Sequence, residues 1–190
     1  MANKYEDKLN EYLKKQKNEV IDLEKCAKLK MKASNLKKQL SEKLYKLFNT
    51  TKKIDFSKAI KLIRAGADVN YKFRDGITLY MLSALNAQID ALEFLKHYGA
   101  KINVKNCYGQ NALMLSMLIR NQGDLKVNLK YSKVIIVLKK HGVNLQEKDA
   151  SGISTEDYNQ GKTAPFTKTY LNNIKSYLKN PENVFENENY

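Results

Sequence analysis

The sequence predicts an all-α chain built from repeated helix-turn-helix units, and three observations carry that expectation. A five-residue word, Gly66-Ala67-Asp68-Val69-Asn70, returns thirty-three residues later as Gly99-Ala100-Lys101-Ile102-Asn103. A second word, Asp75-Gly76-Ile77-Thr78-Leu79, returns after the same interval as Tyr108-Gly109-Gln110-Asn111-Ala112. Between Met1 and Ala65 there is neither Pro nor Gly, in a stretch rich in Lys, Leu and Glu, which favours helix. A fixed period of this size marks stacked supersecondary units, each too small to bury its own apolar face. The expected architecture is a solenoid with short finger turns, preceded by a long Lys-rich helix.

The N-terminal segment, residues 1–41, reads as a basic helical arm. Leu9, Leu13, Val20, Leu23, Ala27 and Met31 recur at helical spacing, and Leu36, Leu40, Leu44 and Leu47 continue the stripe. Residues 1–53 hold 15 Lys against 7 acids. Gln16 and Lys17 interrupt the stripe, and Ser34-Asn35 offers a place to bend. Three readings stay open: coiled-coil self-association, packing on the first repeat, and a mobile arm.

Residues 42–179 form the second segment, whose words Gly-Ala-Asp-Val-Asn and Asp-Gly-Ile-Thr-Leu resemble the ankyrin repeat, and that resemblance implies the following units. Its first helix pair is expected at Glu42–Asn49 and Phe56–Ala65, closed by Gly66. The second runs from Gly76 to Gly99, with its second helix from Ile89 to Leu95. The third starts at Gly109 and closes at Gly142, forty-three residues after Gly99 instead of thirty-three. Backward alignment from Gly142 puts the ten extra residues at about 120–129, where Gly123-Asp124 is a turn signal. Drift and a binding loop are both open for that insertion. A fourth unit begins at Asp149-Ala150-Ser151-Gly152-Ile153-Ser154, with a second helix over Thr167–Leu178. Residues 180–190, rich in Asn and Glu, read as a solvated tail.

The order and spacing of these two words carry the resemblance to the ankyrin repeat. That resemblance covers roughly 140 residues and implies a β-turn followed by two antiparallel helices in each unit. Leu79, Ala112 and Thr155 stand where the family has Pro; Met81, Met114 and Asp157 stand where it has His. Glu156 and Asp157 suit a terminal capping unit. Family membership implies recognition through a concave surface of finger tips and first helices, with general use in protein–protein interaction. The positions so implied are Lys72, Arg74 and Ile77, with Tyr71 and Phe73 adding aromatic bulk beside them, then Leu85 and Asn86. In the next unit they are Lys105, Cys107, Tyr108 and Gln110, then Leu118 and Ile119. The last unit supplies Lys148, Ala150 and Ile153. Phe73, Arg74 and Tyr108 lead the set, because aromatics and Arg dominate interface energetics; a solvated turn is the plain alternative for any single position.

Composition narrows the function classes. The 190 residues are 43% hydrophobic, enough for a packed core, and carry a net charge of +14. Such a field attracts phosphates, anionic lipid and acidic proteins. However, 31 of the 34 basic residues are Lys and Asn occurs 20 times, a bias an AT-rich genome writes without selection for binding. Cys26 and Cys107 fit reduced thiols, and no Cys/His spacing suggests a metal. The start lacks a signal-peptide run, and no stretch of about eighteen apolar residues can span a membrane. A cytoplasmic protein is expected, with delivery into a host cell as a variant; the acidic tail (Glu182, Glu186, Glu188) is compatible with a secretion signal.

His97 and His141 lie near helix C-termini, where the dipole favours them, and read as structural. Cys107 has no sequence-adjacent base. No phosphate loop or catalytic motif occurs. The expectation is therefore a protein-binding scaffold without catalytic residues or cofactors, its partner an unidentified protein. The alternative is nucleic-acid or anionic-surface binding through the Lys-rich arm, or self-association through it. Gly66, Gly99 and Gly142 are expected at positive φ, and Gly99→Val is expected to damage folding more than any surface change.

Overall fold

The computed structural model describes residues 6–8, 10–11, 23–50 and 53–162. Leu9, Leu13 and Val20 of the expected stripe, the helix expected over Thr167–Leu178 and the acidic tail lie outside these residues. The described residues are all-helical but for an isolated bridge between Lys148 and Ser154. They fall into two compact units. One takes in the first long helix up to Leu47 together with Asp55–Asp68; the other takes in Phe48–Ile54 and the chain from Val69 onward.

In the first unit, helix α1 (Leu23–Phe48) is continuous over 26 residues. It runs through Ser34-Asn35 without the expected bend and across the expected arm boundary at 41/42. Nothing in its sequence forbids this, since Pro and Gly are absent. Ser41, inside the helix, satisfies its hydroxyl by donating to the Lys37 carbonyl at 2.8 Å. The stripe is buried where Leu40, Leu44, Tyr45 and Phe48 lie. Higher up it fails: Ala27 and Met31 are exposed, and Cys26 is buried instead. Burial pushes the Tyr45 hydroxyl up to about 12. Helix α2 (Phe56–Arg64) starts at Asp55, whose carboxylate accepts the Lys58 N–H at 3.1 Å. Its chain then turns through Gly66 to Asp68, whose N–H donates to Ser41 Oγ at 2.8 Å and whose carboxylate meets Lys37 at 3.1 Å.

The second unit holds α3 (Leu79–Leu85), α4 (Ile89–His97), α5 (Ala112–Gln122), α6 (Leu125–Lys140) and the short α7 (Thr155–Asn159). α5 packs against α3, α6 and α7, and α3 against α4. All seven residues of α3 and the first seven of α5 are buried, so these two helices are the centre of the core. Thr78, Asn111 and Ser154 cap α3, α5 and α7 through their side chains, at equivalent places in three units. The third cap is a full capping box: Ser154 Oγ donates to Asp157 Oδ2 at 2.6 Å, and the Ser154 N–H donates to the same oxygen at 3.0 Å.

The repeated Asn residues explain the repeated words. Asn70 Nδ2 donates to the Gly99 carbonyl at 3.0 Å, while Asn70 Oδ1 accepts the Lys101 N–H at 2.6 Å. Asn103 does the same to Gly142 and Asn144, at 3.2 and 2.8 Å. Each Asn therefore fastens its own turn to the turn of the next unit.

The extra residues do not form a loop. Compared with α3 and α4, of 7 and 9 residues, α5 and α6 have 11 and 16. The connection shrinks from three residues (86–88) to two (123–124), so helix absorbs the whole insertion. Gly123-Asp124, expected as a turn signal, is the tight joint between the two helices. Asp124 caps α6 by accepting the Val127 N–H at 2.9 Å.

Candidate functional site

Three turns of one geometry stand at the head of these units. Phe73, Asn106 and Asp149 open them, and each N–H donates to a carbonyl four residues on, at 2.9, 3.0 and 2.9 Å. Each opening carbonyl in turn accepts the N–H of Gly76, Gly109 or Gly152. The turns are also joined to one another: the Cys107 N–H donates to the Asp75 carbonyl, and the Ala150 N–H to the Tyr108 carbonyl, both at 2.9 Å. These bonds satisfy the backbone groups of the turns within a ladder.

Gly109 is the tightest point of that ladder. A Cβ there would lie 2.5 Å from the Ala150 nitrogen, and φ is +74°. Gly99 also has positive φ but open space around it. Substitution at Gly109, where close approach adds to backbone strain, should therefore cost more than substitution at Gly99.

The side chains that hold the turns differ from one to the next. Asn106 Oδ1 accepts the N–H groups of Tyr108 and Gln110 at 3.0 and 2.8 Å. Asp149 Oδ1 accepts those of Ser151 and Ile153 at 2.8 and 2.9 Å. Behind them runs a buried chain: Asn106 Nδ2 to Gln110 Oε1 at 3.1 Å, Gln110 Nε2 to the Tyr158 hydroxyl at 2.7 Å, and that hydroxyl to Asp149 Oδ2 at 2.9 Å. In the first turn Phe73 occupies the same place with its ring buried, edge-on to Tyr71 at 4.9 Å.

The sequence-derived recognition set divides accordingly. Phe73 and Gln110 are consumed by internal packing, Gln110 fully so, and Ile77, Leu85 and Leu118 are likewise buried. Asn86 is half-buried, with its amide 3.5 Å from the Phe48 carbonyl. Lys72, Arg74, Cys107, Lys148 and Ala150 are exposed, while Tyr71, Tyr108, Ile119 and Ile153 are half-buried. Lys72, Lys105 and Lys148 take the same place in three successive turns, immediately before Phe73, Asn106 and Asp149. The second is bound to the turn of the third: Lys105 Nζ donates to the Lys148 carbonyl at 3.0 Å and pairs with Glu147. The Lys105 ammonium holds the Glu147 carboxyl below the usual range.

The groups with catalytic reputation are built otherwise. His141 is buried, its Nδ1 2.7 Å from the Tyr80 hydroxyl and its Nε2 3.0 Å from the Glu93 carboxylate. Tyr80 is 1% exposed, so that end of the chain of groups cannot meet a substrate. Burial, with the Glu93 charge second, pushes the Tyr80 hydroxyl up. His97 is exposed beside Tyr98. Burial first, then Asp75, pushes the Cys107 thiol up, away from the reactive thiolate. Among the described residues no cluster of His, Cys, Asp or Glu is placed to hold a metal. No helix among them is long and apolar enough to cross a membrane.

The first unit carries a second surface of interest. A groove of about 500 Å³ between α1 and α2 has Leu47 and Leu62 on its lining, with Lys43, Lys46, Lys58 and Lys61 around them. The sequence gives no direct sign of it, because α1 and α2 supply two lysines each. Comparison of the chain with known protein families and with curated proteins finds no match.

Proposed function

We propose that this chain is a non-catalytic protein-binding module of the ankyrin type, taking its partner on the face made by the three joined turns. The observation that carries the reading is the turn ladder itself: one backbone geometry, fixed three times, with Lys repeated ahead of each turn and Arg74, Cys107 and Ala150 differing at a corresponding exposed position. A rigid frame with variable outward residues loses little conformational entropy on binding, the usual requirement for recognition by repeat proteins. The exposed members of the row are the basic Lys72, Arg74 and Lys148 together with Cys107 and Ala150, and Tyr71 and Tyr108 add partly exposed aromatic area. A partner presenting carboxylates beside an apolar side chain suits that row.

The test is affinity capture with the full chain, with nuclease, at low and at about 300 mM salt, where exposed charges are screened within a few ångströms. A protein retained under both conditions and released by Arg74→Ala with Tyr108→Ala supports the reading. Recovery only of material removed by nuclease or salt overturns it. That second outcome would favour nucleic-acid or anionic-surface binding, for which the four-lysine groove of the first unit is the specific observation.

A further inference from the structure

We propose that the outward face of α6 is a docking seam for an amphipathic α-helix of a partner protein, one whose apolar seam is flanked by Asp and Glu. This surface shares no residue with the turn row and exists because of the ten-residue insertion.

Leu125, Leu129 and Ile136 are 77%, 59% and 66% exposed. At about 100° per residue they fall within about 40° of one another around the helix. The opposite side is fixed in the core by Tyr131, Val134, Ile135 and Leu138, and the Tyr131 hydroxyl donates to the Leu85 carbonyl. The exposed leucines and isoleucine are therefore presented by a rigid helix. The shorter counterpart α4 has no such stripe, since its exposed residues are Asp90, Glu93, Lys96 and His97.

Charge and width decide the occupant. α6 contains five lysines, at 126, 130, 133, 139 and 140, and no acid; its nearest acid, Asp124, is engaged as the cap. None of the five is ion-paired among the described residues. Lys126, Lys133 and Lys140 lie along one edge of the stripe, and a second copy would bring the same charged edge to the same seam, so self-pairing of α6 is opposed by like charge. A helix lying in a lipid interface uses an apolar arc of about 100° or more, whereas a narrow stripe with steps of four and seven matches the seam by which two helices pack. Leu125, Leu129 and Ile136 have those steps, and Ser132 completes the register between them. Acidic residues flanking the incoming seam would face lysines in the manner of coiled-coil edge positions.

The probe is a labelled helical peptide with Leu at its seam and Glu at both flanks, titrated with the full chain by fluorescence anisotropy. Its sister peptide carries Lys at the flanks, and phosphatidylserine-containing vesicles and sedimentation of the chain alone complete the set. Saturable binding of the Glu peptide is expected, with loss of about tenfold or more in L129S/I136S and no binding of the Lys peptide. Thermal unfolding of that variant should be unchanged because both sites are exposed; L125Q serves in its place if it is not. Failure of the Glu peptide to bind, or equal binding by the variants, overturns the proposal. So does vesicle binding or self-association that disappears in L129S/I136S, which would assign the stripe to lipid or to a second copy.

Discussion

The helix pair at 79–97 and the pair at 112–140 start from the same joined turn, on the same kind of cap, and end on the same positive-φ glycine. Their difference is confined to what lies between. The first pair is short, and the exposed residues of its second helix are polar. The second extends both helices and leaves Leu125 and Leu129 in solvent at the N-terminal end of α6. The fixed points are those that bond to the next unit, through Asn70, Asn103 and the turn carbonyls. An insertion that leaves those points in register costs the repeat little, and the added helical turns create surface that the shorter unit lacks.

Substitutions at the fixed points should separate the two pairs most. Gly109→Ala brings a Cβ against the Ala150 nitrogen in addition to left-handed strain, and should lose about 3 kcal/mol or more in urea unfolding. Gly99→Ala, strained but unobstructed, should lose about 1–2 kcal/mol. Equal losses would show that the ladder between the turns is looser than described.

Next in size is the buried chain behind the later turns. Tyr158→Phe removes the hydroxyl that both receives from Gln110 and donates to Asp149, at a cost of about 1–3 kcal/mol, read from the same unfolding curves. The first turn, held by a ring, has no comparable weakness. Caps come after that. Asn111 receives two helix N–H groups and Thr78 one longer contact of 3.3 Å, so Asn111→Ala should cost about 1 kcal/mol and Thr78→Ala less.

The smallest effect is conditional on pH. The Ser154 hydroxyl and N–H, with Lys162, hold the Asp157 carboxyl below its ordinary 3.8. A depressed carboxyl stabilises the fold above its unfolded pKa, and the gain is lost as pH falls below about 4. The difference in unfolding temperature between wild type and Asp157→Asn should accordingly shrink on acidification from pH 5. A difference independent of pH would remove Asp157 from the cap.

The parts legible in the sequence were those where backbone geometry dictates residue type. Gly at positive φ, Asn bonding across units and capping residues at a constant interval are all visible as letters. The form of the insertion was less legible: Gly123-Asp124 marks the turn that joins the two helices, while Asp124 also serves as the cap of the longer second one. That Asp, followed by a Lys- and Leu-rich run, was the available sign of helix. The recognition set was only partly legible. Gln110 meets Tyr158 forty-eight positions later, and no local pattern distinguishes that buried amide from an outward one. Phe73 was valued for its aromatic ring, and the ring is spent on Tyr71 and the core.

The account rests on the turn row as the place where a protein partner is held. A photoreactive side chain placed at Arg74 or Tyr108, with a control at exposed Lys96 on α4, tests it most directly. The account predicts one protein crosslinked through 74 and 108 and absent at 96. Crosslinking at 96 with none at the turns would contradict it.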